Sequence, residues 1–151
     1  MLDDVDRRLI RRLQDDPGQG APALAEAARL SVGQVTRRLE KLREAGVIGG
    51  TRAILDWAAL GYGVEVSLRF TLDKTQRDAF ERFIEAARAI PEVIEIQTFL
   101  GKVDVRLGII ARDMGDYQRI YRDQILTLPH IADIEALMHV ANVKHEERLP
   151  I

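Results

Sequence analysis

The hydrophobic rhythm of this chain changes along its length. From Val5 to Leu42 apolar residues recur at three- and four-residue spacing, whereas from Val64 to Leu72 they alternate strictly with Glu65, Ser67, Arg69 and Thr71. The first spacing lines one face of a helix and the second one face of a strand. The chain is therefore expected to divide into a helical N-terminal part and a sheet-containing C-terminal part, an α+β protein. Its 151 residues suit one ordinary domain or two small ones.

In the N-terminal part Val5, Leu9, Ile10 and Leu13 predict a helix from Asp3 to about Asp15, capped by Asp3 or Asp4 and ended by Pro17-Gly18. A short helix from Pro22 to Ala28 follows, with Leu24, Ala25 and Ala28 as a small-residue face. Ser31 is the expected N-cap of a third helix, in which Val32, Val35, Leu39 and Leu42 share one side and Gln34, Arg37, Arg38 and Lys41 the other. Gly46 supplies its stop. Residues 47–55 read as strand, Gly49-Gly50 turn and strand. Three helices and a hairpin make a winged helix-turn-helix pattern over residues 1–56, with 57–63 as linker.

Residues 64–151 form the second expected domain. Strands are predicted at 64–72, 93–100, 103–111 and 131–143, and helices at 75–89 and 113–127. That order, β-α-β-β-α-β, is the ferredoxin-like split βαβ arrangement. Two helices cover one face of such a sheet, and a second copy of the chain would most simply cover the other, so a homodimer at least is expected.

Net charge is −2, but six basic and two acidic residues lie between Arg29 and Arg52, while 12 basic and 15 acidic residues lie from Trp57 onward. A basic patch thus sits on a mildly acidic chain. The absence of cysteine excludes disulfides and thiolate chemistry and fits a reducing compartment. The start of the chain is charged from Asp3, unlike a signal peptide, and no apolar run nears the roughly 20 residues that span a bilayer. A cytoplasmic, nucleoid-associated protein without membrane partners is expected. His130, His139 and His145 form no metal-ligand motif, and neither a P-loop, a G-x-S-x-G elbow nor an HExxH helix occurs. Neither enzyme activity nor a cofactor or metal is expected.

The order of parts and the local wording resemble the Lrp/AsnC family, also called feast/famine regulators. The stretches that carry the resemblance are residues 2–16, 24–48, 55–63 and 101–131, including the Gly-x-x-Asp of Gly101 and Asp104, and the tail 143–151. The chain departs from the family pattern at Pro17-Gly18, at Arg29-Leu30-Ser31, where a glycine usually opens the turn, at Leu100, where Ser or Thr is common, and at Asp133, Glu135 and Ala136 in the last strand. The resemblance implies a RAM-type C-terminal domain, double-stranded DNA as partner, and dimers that assemble into tetramers or octamers.

A helix-turn-helix reads the major groove with the N-terminal part of its second helix. That picks out Gly33, Gln34, Arg37 and Arg38, with Gln matched to adenine and Arg to guanine. Ser31 and the adjacent amides can hold a phosphate, and Lys41, Thr51 and Arg52 fit backbone contacts. The residues alone also allow these arginines to be the solvated side of an amphipathic helix. Arg7, Arg8, Arg11 and Arg12 of the first helix read as solvated, or as paired with Asp3, Asp4 and Asp6. In the second domain the hairpin Leu100, Gly101, Lys102, Val103 and Asp104 is the expected effector site. A backbone amide there can bind a carboxylate and Asp104 an ammonium, which together describe an amino acid; the alternative is that Gly101 only turns the hairpin and Asp104 only caps it. The resemblance places this site where dimers meet, with Glu135 and Ala136 shaping the pocket. The chain so read is a transcription regulator tuned by a small effector such as an amino acid. The alternative is an architectural DNA-binding protein whose C-terminal domain only oligomerises.

Overall fold

A computed structural model describes residues 2–151. The chain forms two compact units, one running to Ile54 and including His145–Ile151, the other Leu55–Lys144.

The first unit holds helices α1 (Asp4–Asp15), α2 (Ala21–Ala28) and α3 (Val32–Glu44). Each begins where its sequence supplies a start. Asp3 and Asp6 form a reciprocal capping box on α1, Ser31 and Gln34 do the same on α3, and α2 has Pro22 in its first turn. Leu9, Leu24, Ala25, Ala28, Val35, Leu39 and Leu42 form the core. Val32 departs from expectation: it is 46% exposed. It sits in the first turn of α3, which projects beyond the core that Val35 and Leu39 enter.

Arg29 ends α2 with φ 57 and ψ 48, a left-handed conformation that glycine adopts freely and other residues do not. The conformation costs roughly 1–2 kcal/mol for an L-residue, partly offset by the flexibility glycine would add to the unfolded chain. Arg29→Gly is therefore expected to stabilise this unit by about 0.5–1 kcal/mol. Scanning calorimetry checks this, and an unchanged or lower transition temperature would show that the turn carries no such strain.

The expected wing hairpin is not formed as two paired strands. The amides of Val47 and Ile48 both donate to the Leu42 carbonyl, at 2.9 and 3.1 Å, so these residues close the end of α3. Gly46, at φ 71, permits that reversal. Thr51–Leu55 is left without a ladder partner among the described residues, and Ile54 is 97% exposed.

The second unit is a four-stranded antiparallel sheet in the order β2-β3-β1-β4, built from β1 (Val64–Leu72), β2 (Val93–Thr98), β3 (Val105–Ala111) and β4 (Ile131–Met138). Helices α4 (Ala79–Arg88) and α5 (Met114–Ile120) connect them, and α5 continues into a π-helical turn, Tyr121–Ile125. This is the expected split βαβ order, with every element but β1 shorter than expected. β4 stops at Met138, opposite Val66, because β1 has almost no residues left to pair with; only the His139 amide reaches on, to the Glu65 carbonyl.

One face of the sheet presents Val66, Leu68, Phe70, Leu72, Val105, Leu107 and Ile109 to Phe83, Ala87, Tyr117, Ile120 and Ile125. Phe70 and Phe83 meet at 4.9 Å between centroids in a tilted pair. The other face is polar. Ser67 Oγ accepts from Arg106 Nε at 2.8 Å, and Arg106 reaches Glu95 at 2.8 Å and Gln97 at 3.0 Å. His139 lies between Ser67 (3.0 Å) and Glu65 (3.2 Å).

Candidate nucleic-acid interface and effector hairpin

The outward side of α3 carries Val32, Gly33, Thr36, Arg37, Glu40 and Lys41, all exposed. Thr36 Oγ1 donates to the Val32 carbonyl, a bond that holds its methyl group beside the helix surface. The Arg37 and Lys41 side chains have no ion-pair or hydrogen-bond partner among the described residues. Two cations one turn apart, with an apolar Val and a Thr methyl ahead of them, make a surface that suits phosphates and a thymine methyl.

Four residues expected to read bases or hold phosphate are engaged within the chain. Arg38 Nη1 binds both Asp3 and Asp6 at 2.7 Å. It ties α3 to the capping box of α1, and its guanidinium is held charged first by Asp3 and then by Asp6. Asp3 is in turn held below the usual carboxylate range, first by the Asp6 amide and then by Arg38. Gln34 Oε1 accepts from the Ser31 amide at 3.0 Å, and Ser31 Oγ accepts from the Gln34 amide at 3.2 Å. A glutamine needs both ends of its amide to read adenine, so Gln34 would have to open this capping box first. Arg52 pairs with Glu147 of the tail, while Thr51 is exposed.

Among the described residues the arginines of α1 pair with none of Asp3, Asp4 and Asp6, and Arg38 takes Asp3 and Asp6. Arg11 donates to the Ile151 carbonyl at 2.6 Å, and the tail is further held by Arg148 on Asp15 at 2.9 Å. Val32 and Thr36 were not among the expected contact residues. Their signal was the geometry of the first helical turn, which hides behind a hydrophobic periodicity that includes Val32.

In the second unit, residues 99–104 join β2 to β3. Leu100, Gly101 and Lys102 are exposed, Val103 is half-buried, and Gly101 adopts φ 151, a region closed to most side chains. Asp104 is buried. Its carboxylate accepts from the Leu72 amide at 2.9 Å and meets Lys74 Nζ at 2.7 Å. Those two contacts, the amide first, hold the Asp104 carboxyl below its ordinary range. Thr71 Oγ1 donates to the Lys102 carbonyl at 3.0 Å, fixing the hairpin to β1. Glu135 faces Arg69 at 3.7 Å, and Ala136 pairs with Leu68, so within one chain β1 lies between both residues and the hairpin.

A carboxyl whose folded value lies below its unfolded one, near 3.9, contributes stability above about pH 4 and loses it as pH falls through the folded value. Asp104→Asn is therefore expected to flatten the acid limb of the stability profile and to cost about 1–3 kcal/mol at neutral pH. Denaturant titrations from pH 7 to pH 3 check this. An unchanged acid limb would mean that Asp104 is not the ionised partner of Leu72 and Lys74.

Among the described residues no group of three or more potential ligands is placed to hold a metal, and no helix is long and apolar enough to cross a membrane.

Residues 2–48 match the winged helix-turn-helix DNA-binding family and residues 65–149 the Lrp/AsnC ligand binding domain. The chain is 31% identical over 154 residues to the DNA-binding transcriptional activator DecR of Escherichia coli K12, covering 100% of this chain and 99% of that protein. It is 31% identical over 144 residues to the leucine-responsive regulatory protein of Rhizobium meliloti, covering 95% and 92%. Among solved structures, a transcriptional regulator of Neisseria meningitidis in complex with L-Met superposes with a TM-score of 0.92 at 27% identity, covering 99% and 97%. An AsnC family regulator of Agrobacterium tumefaciens does so with 0.89 at 29%, over the same shares.

Proposed function

Because this chain belongs to the Lrp/AsnC family of transcription regulators, with a DNA-binding and a ligand-binding domain, we propose that it reads DNA through the outward side of α3. Val32, Gly33, Thr36 and Arg37 enter the major groove, and Lys41, Thr51 and the capped N-terminus at Ser31 contact phosphates. The exposed, unpartnered pair Arg37 and Lys41 carries this reading. Arg38 serves to hold α1 against α3, and Gln34 to cap the helix.

Selection of binding sequences from random duplexes tests it. A defined motif that blurs at particular positions in Arg37→Ala supports base reading. Equal binding to all sequences supports the architectural alternative instead. Affinity should fall steeply with salt, since each neutralised phosphate releases counterions.

The hairpin at 100–104 is the proposed effector contact, taking a small carboxylate on its open backbone amides. A second copy of the chain is proposed to cover the polar face of the sheet, where Leu137 remains partly exposed beside the Ser67–Arg106 network. Sedimentation is expected to show a dimer or a multiple of it. Two linked reading helices double the site and predict a pseudo-palindromic operator. The soluble, DNA-directed role fits a cytoplasmic location.

A further inference from the structure

The two halves of an amino-acid site are in opposite states at the hairpin. The amides of Leu100, Gly101, Lys102 and Val103 donate to nothing among the described residues, and all four belong to one short turn. Phe99 and Leu100 expose apolar surface beside them, Leu100 fully. A carboxylate with a small apolar tail has donors and a contact surface here. The half that would take an ammonium is already filled. Asp104 Oδ1 meets Lys74 Nζ at 2.7 Å and Oδ2 accepts the Leu72 amide at 2.9 Å. The Asp104 side chain is 10% exposed, against 68% for Lys74, so the lysine closes the carboxylate from the solvent side. The next carboxylate along, Asp73, accepts the Thr75 amide at 3.0 Å.

We infer that the effector of this chain is a 2-oxo acid, with Lys74 excluding the corresponding α-amino acid. The inference rests on the hairpin being the effector site. A lysine ammonium has three donors. One is spent on Asp104, and another can reach the 2-oxo oxygen of a ligand whose carboxylate lies on the hairpin amides. An α-amino acid would place its own ammonium against that of Lys74 and find Asp104 occupied. Specificity then comes from a repulsive element as well as an attractive one. Lys102, at the tip of the same hairpin, adds a second positive charge for the carboxylate.

Calorimetric titration of the full chain with matched pairs tests this: pyruvate against L-alanine, 4-methyl-2-oxopentanoate against L-leucine, and 4-methylthio-2-oxobutanoate against L-methionine. In at least one pair the oxo acid is expected to bind about tenfold or more tightly than its amino acid, a difference of about 1.4 kcal/mol. Lys74→Met should move that ratio at least tenfold towards the amino acid, and Lys102→Glu should weaken the oxo acid. Tighter binding of the amino acid by the unaltered chain overturns the inference and leaves the hairpin site standing. So does a ratio that Lys74→Met does not move. Binding that Lys102→Glu leaves unchanged places the effector elsewhere and removes both. No binding by any of the six compounds, to the unaltered chain or to Lys74→Met, does the same.

Discussion

Arg37→Ala is expected to weaken specific DNA binding by about 1–3 kcal/mol, five- to 150-fold, and to reduce discrimination between the preferred duplex and a scrambled one. Lys41→Ala, assigned to a phosphate, should instead weaken all sequences alike and lower the slope of log affinity against log salt by about 0.9. Arg38→Ala removes the same formal charge as Arg37→Ala one residue along, so a purely electrostatic account would make these two variants alike. The structure separates them. Arg38 is engaged by Asp3 and Asp6, whereas Arg37 has no partner among the described residues. Arg38→Ala should weaken binding to all sequences and keep the discrimination ratio, because it unmasks two carboxylates near the duplex. Fluorescence anisotropy at several salt concentrations measures both quantities. Loss of discrimination in Arg38→Ala with Arg37→Ala unaffected would reverse the assignment.

The second large effect is on stability. Phe83 is fully buried and packs on Phe70 across the helix–sheet seam. Phe83→Ala is expected to cost about 3–5 kcal/mol, from lost transfer energy and the cavity left behind. Domains of this size hold about 5–15 kcal/mol in all, so the sheet unit should unfold roughly 12–40 °C earlier. The core of the first unit shares no residue with this cluster. Calorimetry should therefore show the sheet transition moving and the helical one staying. A shift under about 1 kcal/mol would mean that the seam can collapse around the missing ring, and that the Phe70–Phe83 contact does not anchor the fold.

What the sequence disclosed follows the range of the forces involved. The caps at Asp3 and Ser31, the stop at Gly46 and the alternation of Val64–Leu72 act within a few residues, and all appear where expected. The β-α-β-β-α-β order is likewise a sum of local patterns. Features set by distant partners were hidden. Arg38 looks as available as Arg37 until Asp3, 35 residues earlier, is brought beside it. The wing looked like a hairpin because Val47 and Ile48 are good strand residues, but their amides had already been taken by the Leu42 carbonyl. β4 looked longer because Val140 and Val143 continue the pattern, yet β1 offers them no partner. Asp104 looked open because Lys74 lies 30 residues away, in the turn after β1.

The absence of cysteine makes one experiment especially clean. Single cysteines at Gly33, where an added Cβ meets nothing within 4 Å, and at Arg8, on the exposed side of α1, can each carry an iron chelate that generates hydroxyl radicals. With the protein bound to its preferred duplex, Gly33→Cys is expected to cut both strands within a few base pairs of each half-site centre, and Arg8→Cys to cut weakly or not at all. Cutting from Arg8→Cys alone, or from neither position on a duplex that is demonstrably bound, would contradict the claim that the outward side of α3 is the surface this regulator lays into the groove.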